Sequence, residues 1–419
     1  MIEIKPGPIR NCRVKIPGSK SYTHRVLVAA ALAKGESSIL NGLESEDTRL
    51  TINALRKMGV EIIEDKGRWR VIGCDGRFAP RDEAIHLGNS GTSMRLVTAL
   101  AALGGGKYFL NGTKRMHQRP IGKLLDGLTQ AGAHAEAVNQ NACPPVEIDG
   151  QNLTGGRIKL DCSDSSQYLS ALLFIAPCTR NGMQIEVTHG PVSQPYIDMT
   201  LAVMERFGIT VKRKEYSFFT VAGGQVYQSA QVIVEPDASN ASYFWAAAAI
   251  TGSSITVNGV HSYSCQGDVR FVEVLRQMRC NVNEPHDGIC VTGKHLKAID
   301  VDMSHMPDLV PTLAMVAAFA EGTTRIRNVG HLRIKESDRL NAVATELAKM
   351  EIDVETGVSE ITIRGGNPRA AVIDTYDDHR MAMSFAVAGL KVPGIFIRDE
   401  TCVKKSFPSF WDVFETLYQ

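Results

Sequence analysis

One pattern of residues recurs six times along the chain, at intervals of about 70 positions, and it restricts the possible folds. Each copy has an apolar, alanine-rich run that ends near a glycine and is followed by a short β-type segment. The two clearest copies are "VLVAAALAKGESSILNGL" after Arg25 and "LVTALAALGGGKYFLNGT" after Arg95. Six copies account for the whole length of 419 residues, so one structural unit is repeated throughout.

Between the copies lies a second, amphipathic helical pattern followed by strand-like segments. We therefore expect an α/β fold with two similar domains, each of three repeated βαβαββ-type units with buried Ala-rich helices. The length and mixed composition of the unit favour closed globular domains over an open solenoid. The positions of four glycines predict left-handed helix ends at Gly35, Gly105, Gly252 and Gly322.

Polar residues of the kind that cap helices precede all six Ala-rich runs, as in "GSKSYTHR", "GNSGTSMR", "DSSQY" and "YDDHR". A helix N-terminus offers unpaired N–H groups and partial positive charge, so it attracts anions. Lys20, Arg25, Arg95, His379 and Arg380 add full positive charges at these places. One such stretch alone is an ordinary helix cap. Six at equivalent positions predict that the ends converge on one surface of each domain, forming a cleft for a small, multiply anionic ligand.

Three further segments carry charge, namely "HLRIKESDRL", "MHQRPIG" and "TCVKKSFP". Each taken alone is compatible with a solvated charged surface. Lysine and arginine are also the usual clamps for phosphate and carboxylate groups, arginine through its bidentate fork. Among the titratable residues, Glu336, Asp308 and His379 are candidates for proton transfer.

The overall composition excludes several classes of function. The 46 Lys and Arg residues nearly balance the 45 Asp and Glu residues, so nucleic acid and membrane surfaces are not expected partners. The N-terminal "MIEIKPGPIR" is not a signal peptide and no run reaches the ~18 apolar residues of a membrane span, which predicts a cytoplasmic protein. Nine scattered cysteines without a CxxC pair, and 11 histidines without HExxH, predict neither disulfides nor a metal site. "GSKS" lacks the preceding glycine spacing of a P-loop.

Taken together, nine segments resemble the 5-enolpyruvylshikimate-3-phosphate (EPSP) synthase family. They are "PGSKSYTHR", "LGNSGTSMRL", "QRPIGKLLDGL", "DSSQYLSALL", "SQPYIDMTL", "MPDLVPTLA", "RIKESDRL", "YDDHRMAM" and "KKSFP". The resemblance implies the enolpyruvyl transferase fold with an active site in the interdomain cleft. It also implies a discontinuous domain of residues 1–17 plus 237–419 and a continuous domain of residues 18–236.

The resemblance further implies an enzyme that transfers the enolpyruvyl group of phosphoenolpyruvate to the 5-hydroxyl of shikimate 3-phosphate and releases phosphate. The residues implied to bind shikimate 3-phosphate are Lys20, Ser21, Arg25, Ser165, Ser166, Gln167, Ser193, Tyr196, Asp308 and Lys335. Those implied to bind phosphoenolpyruvate are Lys20, Gly91, Arg119, Gln167, Arg339, Arg380 and Lys405. The reaction, an addition followed by an elimination, needs neither a metal nor another cofactor.

The catalytic residues implied are Lys20, Asp308, Glu336 and His379, with Glu336 and Asp308 as the main proton-transfer pair. A carboxylic acid among several cations has to hold a proton part of the time, so its pKa must be tuned by burial or by a neighbouring carboxylate. Which of the two carboxylates handles which proton is left open by the sequence.

Two positions depart from the family pattern. His331 stands where the family commonly has an asparagine that contacts the shikimate phosphate. Leu96 stands where many members have proline, and it could shift the glycine loop. Gly91 is retained where the glyphosate-tolerant class has alanine, so we expect glyphosate to compete with phosphoenolpyruvate.

Two rival functions fit these residues less well. UDP-N-acetylglucosamine enolpyruvyl transferase shares the fold and the donor, but the region from Met116 to Arg119 lacks its reactive cysteine. A non-catalytic anion-binding protein on the same scaffold would not need carboxylates such as Asp308 and Glu336 among its cations. Because one chain supplies both domains, we expect a monomer whose partners are the two anionic substrates.

Overall fold

Helices and short strands alternate along the chain, which the computed structural model describes at residues 1–65, 67–79 and 83–418. The α-helices are α1 Lys20–Leu32, α2 Glu46–Lys57, α3 Gly91–Ala101, α4 Gly122–Gln130, α5 Gln167–Ile175, α6 Pro195–Arg206, α7 Ala238–Thr251, α8 Phe271–Gln277, α9 Val310–Ala318, α10 Arg339–Lys349, α11 His379–Gly389 and α12 Phe410–Glu415.

The strands are β1 Ile2–Ile4, β2 Cys12–Val14, β3 Lys34–Leu40, β4 Glu61–Asp65, β5 Arg68–Cys74, β6 Ile85–His86, β7 Lys107–Asn111, β8 His134–Ala137, β9 Val146–Asp149, β10 Gly156–Asp161, β11 Met183–His189, β12 Val211–Lys214, β13 Phe218–Val221, β14 Gln231–Ile233, β15 Ser254–Asn258, β16 Asn281–Asn283, β17 Gly288–Thr292, β18 Asp300–Asp302, β19 Thr323–Arg327, β20 Asp353–Thr356, β21 Ile361–Arg364, β22 Ala371–Ile373 and β23 Ile395–Ile397.

The chain divides into two units. We call Lys20–Val234 the central unit, and Met1–Ser19 together with Glu235–Gln419 the terminal unit. These divisions fall after residues 19 and 234, whereas the resemblance implied boundaries after residues 17 and 236. Each unit has a hydrophobic core of its own.

The sheets of the central unit have the strand orders β14-β3-β5-β4, β6-β7-β9-β8 and β10-β11-β13-β12. The first pair of each sheet is parallel, as where Val232 pairs with Ile39, and the other two pairs are antiparallel. Parallel neighbours need a crossover, and the buried helix of each repeat supplies it. In chain order the second repeat is β6, α3, β7, α4, β8 and β9, which confirms the predicted βαβαββ unit.

The terminal unit repeats this arrangement with one change. Its sheets have the orders β2-β15-β17-β16, β18-β19-β21-β20 and β22-β23-β1. In the last sheet, β1 from the start of the chain pairs antiparallel with β23, taking the place of the third strand in the other sheets. The first repeat of each unit also takes its first strand from a distant segment, β14 in one case and β2 in the other.

The Ala-rich helices α1, α3, α5, α7, α9 and α11 lie in the two cores, as predicted. In α7 every residue from Ala238 to Ile250 is buried. Alanine side chains let neighbouring helices approach closely while removing apolar surface from water, worth about 25 cal/mol per Å². The core helices α7, α9 and α11 pack on one another in the terminal unit, and α1 and α5 both flank α6 in the central unit.

The prediction of left-handed helix ends is confirmed at one of the four glycines. Gly252 caps α7 in the left-handed conformation with φ 81°. Gly35 lies within β3, and Gly322 lies beyond Phe319, the right-handed cap of α9, although both have positive φ. Gly105 does not, because α3 already ends at Ala101 with Ala102 as a right-handed cap. Three glycines in a row make the end of that helix hard to locate from the sequence. Among the described residues, no helix combines the length and the apolar character needed to cross a membrane.

Candidate active site

Lys20 opens α1 and is oriented by a buried carboxylate of the central unit. Its Nζ donates to Asp47 Oδ2 at 3.0 Å, and Asp47 is only 3% exposed. Asp47 lies in the first turn of α2, where Ser45 and Thr48 form a capping box. The backbone carbonyl of Asp47 also accepts a hydrogen bond from Ser93 in α3. Lys20 is therefore held at a junction of three helices.

Arg25, one turn further along α1, brings together several residues predicted to bind shikimate 3-phosphate. Its Nε donates to Thr200 Oγ1 at 2.8 Å, and its Nη1 donates to the carbonyl of Ser21 at 2.9 Å. Its guanidinium lies 5.7 Å from the centroid of the Tyr196 ring. Ser193, buried and in the left-handed conformation at φ 56°, accepts from the backbone N–H of Tyr196. Strained backbone of this kind is common at functional sites.

The glycine loop before α3 packs against two buried guanidinium groups. Arg119 Nη1 donates to both oxygens of Asn89, at 2.8 and 3.0 Å. Arg95 donates to the carbonyl of Gly91 at 3.1 Å and to that of Pro120 at 2.6 Å. A β-carbon on Gly91 would lie 2.5 Å from a nitrogen of each arginine, so a side chain there would force the guanidinium groups to shift.

The N-terminus of α5 adjoins the same loop. Gln167 Nε2 donates to Thr92 Oγ1 at 3.1 Å, next to Gly91. The backbone N–H of Gln167 donates to Ser165 Oγ, and Ser165 and Ser166 are both buried. The N-termini of α3 and α5 are thus tied together, and the helix dipole gives each a partial positive charge suited to an anion. Leu96 lies in the core, 2% exposed.

Arg339 is the centre of the charged cluster in the terminal unit. Its side chain is 2% exposed. It donates to Asp308 Oδ1 at 2.8 Å, to Glu336 Oε2 at 2.8 Å and to Asp378 Oδ2 at 2.7 Å. The structure therefore places the two predicted proton-transfer carboxylates on one guanidinium. Asp378 is fully buried and also accepts from Ser337 Oγ and from the backbone N–H of Arg380.

Asp308 connects Arg339 to Arg380. Its second oxygen accepts from Arg380 Nη2 at 2.7 Å, and Arg380 Nη1 lies 3.4 Å from the Tyr243 hydroxyl. Burial alone would raise the pKa of Asp308, but the positive charges of Arg380, Arg339 and Lys335 outweigh it and hold that pKa well below the ordinary value. Asp308 is therefore ionised in the substrate-free protein. His379, 1% exposed, opens α11 with its Nδ1 3.7 Å from Asp378 Oδ1.

The remaining predicted residues lie around this cluster. Lys405 is 7% exposed at the end of the 3-10 helix Glu400–Lys405, which packs on α11. Lys335 lies in the segment after the 3-10 helix Gly330–Ile334, and its charge acts on Asp308. His331 lies in that helix, where burial and the nearby charge of Lys335 lower its pKa to about 3. The imidazole of His331 is therefore neutral at pH 7.

Several buried polar residues around these side chains were not predicted as site residues, among them Asp47, Asn89, Asp378 and Asp268. Asp378 and Asn89 stand in quoted motifs, but each reads equally well as a helix-capping residue. Asp268 hydrogen-bonds Ser239, and burial together with the charge of Asp308 raises its pKa to about 6. Its segment, "SCQGDVR", has no feature that distinguishes it in the sequence. Within the described ranges, no group of three or more His, Cys, Asp or Glu residues is arranged to hold a metal ion.

Comparison with known proteins shows the family of the chain. A model of the family described as EPSP synthase (3-phosphoshikimate 1-carboxyvinyltransferase) matches residues 5–414. A protein of Sulfurovum sp. (strain NBC37-1) named 3-phosphoshikimate 1-carboxyvinyltransferase is 44% identical over 99% of both chains. A chloroplastic protein of Brassica napus with that name is 43% identical, over 99% of this chain and 85% of its own. The solved EPSP synthase of Acinetobacter baumannii superposes with a TM-score of 0.82 at 29% identity, covering 99% of this chain and 97% of that one. The family prediction is thereby confirmed, and the chain belongs to the EPSP synthase family.

Proposed function

We propose that residues of both units bind the two substrates of the family reaction. The chain is an enzyme of the shikimate pathway that transfers the carboxyvinyl group of phosphoenolpyruvate to shikimate 3-phosphate. For phosphoenolpyruvate, the proposed residues are Lys20, Gly91, Arg119, Gln167, Arg339, Arg380 and Lys405. For shikimate 3-phosphate, they are Lys20, Ser21, Arg25, Ser165, Ser166, Gln167, Ser193, Tyr196, Asp308 and Lys335.

The charge of the substrates supports this assignment. Each carries a phosphate and a carboxylate, and such groups bind best to fixed guanidinium groups and helix N-termini. Arg25, Arg119 and Arg339 are buried and already oriented by hydrogen bonds, so little conformational entropy is lost when an anion arrives.

One observation carries the proposed mechanism, namely that Asp308 bridges Arg339 and Arg380. Because Asp308 is ionised before substrates bind, it is the proton acceptor of the pair. Bound anions offset the charge of the two arginines, which raises the pKa of Asp308 and makes it a better base. Asp308 then takes the proton of the 5-hydroxyl as the C–O bond forms.

Glu336 is the proposed proton donor to the methylene carbon of phosphoenolpyruvate. It shares Arg339 with Asp308, so the two groups lie close enough to act on one pair of substrates. In the second half of the reaction the Glu336 carboxylate takes a proton back from the methyl group, the carbon–carbon double bond re-forms, and phosphate departs with the proton that Asp308 held. Lys20 and His379 are proposed to assist by stabilising the phosphate that leaves.

The test is phosphate release with phosphoenolpyruvate and shikimate 3-phosphate together and with each omitted in turn. UDP-N-acetylglucosamine serves as the rival acceptor. Glu336→Gln is expected to keep substrate binding and to lose about 10²–10⁴-fold in kcat, because the isosteric amide cannot carry the proton. Glu360→Gln is the matched control, since Glu360 pairs with Arg325 on the surface. Near-normal turnover by Glu336→Gln would remove Glu336 from the mechanism.

The remaining predictions concern the setting of the enzyme. That the chain is a cytoplasmic monomer, that its two units are domains with a shared active site, and that it needs no cofactor all stay predictions. Mass measurement in solution at micromolar concentration checks whether the chain is a monomer.

A further inference from the structure

A fully buried carboxylate lies inside α10, two turns beyond Arg339. Glu346 is 0% exposed, and four hydrogen bonds reach its two oxygens. Lys349 Nζ donates to Oε1 and Oε2, at 2.9 and 2.8 Å. The backbone N–H of Asp374 donates to Oε2 at 3.0 Å, and the hydroxyl of Tyr376 donates to Oε1 at 2.6 Å. Nothing in the proposed mechanism uses this cluster.

Two of the donors belong to the segment that leads into α11. One of these donors, Tyr376, and the next residue, Asp377, both adopt the left-handed conformation, with φ 56° and 54°. Residues other than glycine rarely adopt it, and two in succession need support from their surroundings. The next residues are Asp378, His379 and Arg380, which carry the charged cluster. The turn that precedes Asp378, His379 and Arg380 is therefore strained, and its hydrogen bonds to Glu346 hold it against α10.

Arg339 contacts the segment Asp374–Asp378 and also belongs to the helix that holds it. Arg339 opens the helix that contains Glu346. Asp378, at the other end of the fastened segment, accepts from Arg339 Nε and Nη2 at 2.7 and 3.2 Å. Asp378 also accepts from the backbone N–H of Arg380, and it caps α11. A shift of the segment Asp374–Asp378 would thus move the acceptor that orients Arg339 and the start of the helix that carries Arg380.

We propose that Glu346 is a positioning residue for the phosphoenolpyruvate-binding arginines. It contacts neither of them, and it acts by fixing the strained turn at Tyr376 and Asp377 against the helix of Arg339. The inference rests on the assignment of Arg339 and Arg380 to phosphoenolpyruvate in the proposed function.

Steady-state kinetics of four variants of the full chain test this inference. Glu346→Gln keeps the size of the side chain but weakens its hydrogen bonds, and it is expected to raise KM for phosphoenolpyruvate about 10-fold. Tyr376→Phe removes one hydrogen bond at a 42% exposed side chain, so it should fold normally and raise that KM about 3-fold. In both variants KM for shikimate 3-phosphate should change less than KM for phosphoenolpyruvate.

Ile363→Val in β21 is the matched control for lost stability, because Ile363 is fully buried and lies outside the Glu346 cluster. It should lower Tm without changing either KM. The inference is overturned if KM for phosphoenolpyruvate in Tyr376→Phe and in any folded Glu346→Gln stays within about 2-fold of the parent, or if Ile363→Val raises it equally. Arg339→Lys separates a failure of the positioning role of Glu346 from a failure of the assignment of Arg339 to phosphoenolpyruvate. If it raises that KM while the Glu346 cluster variants do not, only the positioning role fails. If it leaves that KM unchanged, the assignment of Arg339 fails and the positioning role fails with it.

Discussion

The two units hold the buried arginines of the candidate site in different ways. In the central unit, neutral oxygens orient the guanidinium groups, as where Thr200 binds Arg25 and Asn89 binds Arg119. In the terminal unit, the carboxylates of Asp308, Glu336 and Asp378 orient Arg339. A neutral acceptor fixes an arginine without cancelling its charge, whereas a carboxylate cancels charge and supplies a group that can carry a proton. In the proposed function both units bind anions, and both proposed proton-transfer carboxylates, Asp308 and Glu336, lie in the terminal unit.

The largest effect is expected from Asp308→Asn, which removes the proton acceptor of the terminal unit. We predict that kcat falls about 10³-fold, as for loss of a general base. KM for phosphoenolpyruvate should not rise, because Arg339 and Arg380 lose a negative partner and keep their own charge. Initial-rate kinetics with both substrates varied measure the two constants separately. A large rise in KM with an unchanged kcat would contradict the division between the units.

Gly91→Ala in the central unit is expected to have a smaller effect, and one that falls mainly on KM and not on kcat. The added methyl group would lie 2.5 Å from nitrogens of Arg95 and Arg119, so Arg119 must move. We predict that KM for phosphoenolpyruvate rises about 10- to 100-fold while kcat falls less. The inhibition constant of glyphosate, measured in competition with phosphoenolpyruvate, should rise as well. Unaltered affinity for both compounds would show that Arg119 is not part of their site.

The lowered pKa of His331, in the terminal unit, predicts that the free energy of unfolding depends on pH. Its pKa is lowered to about 3 in the folded chain, so between that value and the ordinary 6.5 the unfolded chain binds the proton more tightly. Stability is therefore lost as pH falls below 6.5. We predict that His331→Asn lowers this loss between pH 7 and pH 5 by about 1–2 kcal/mol. Urea unfolding at the two pH values measures it, and an equal loss in both proteins would mean that His331 is accessible to protons when folded.

The smallest effects concern the ends of corresponding helices in the two units. Gly252 caps α7 at φ 81°, where a side chain adds strain, so Gly252→Ala should cost about 1 kcal/mol. Gly105, after α3, has no positive φ and nothing within 4 Å of an added β-carbon. Gly105→Ala should be neutral or slightly stabilising. Thermal unfolding of the two variants side by side compares them, and equal costs would place Gly105 in a left-handed conformation after all.

Much of the fold was predictable because each repeat is specified by patterns of residue types that are close together in the sequence. The buried helices, the order of elements within each repeat and the polar helix starts all follow from residue types at short spacing. The pairing of Val232 with Ile39 was not predictable, because no local signal links residues so far apart. The pairing of β1 with β23 could not be predicted from local patterns for the same reason.

At the site, the sequence indicated the cations better than their anchors. Lysine and arginine beside helix starts are conspicuous, whereas Asp378 and Asn89 have the appearance of ordinary capping residues. The ionised state of Asp308 depends on Arg380, which is far away in the sequence, so only the folded arrangement reveals it. Glu346 reads as one charged residue on an amphipathic helix, and its burial results from the turn that packs over it.

The exchange of strands between distant segments has a consequence for synthesis on the ribosome. The central unit is one continuous stretch that is complete once β14 has emerged, so it can fold while the rest of the chain is still being made. Ile2–Ile4 have no such opportunity. Their partner strand is Ile395–Ile397, which is made only after the whole central unit and most of the terminal unit. Ile2–Ile4 must stay unpaired until then, and the sheet that they complete in the terminal unit can close only after Ile397 has emerged.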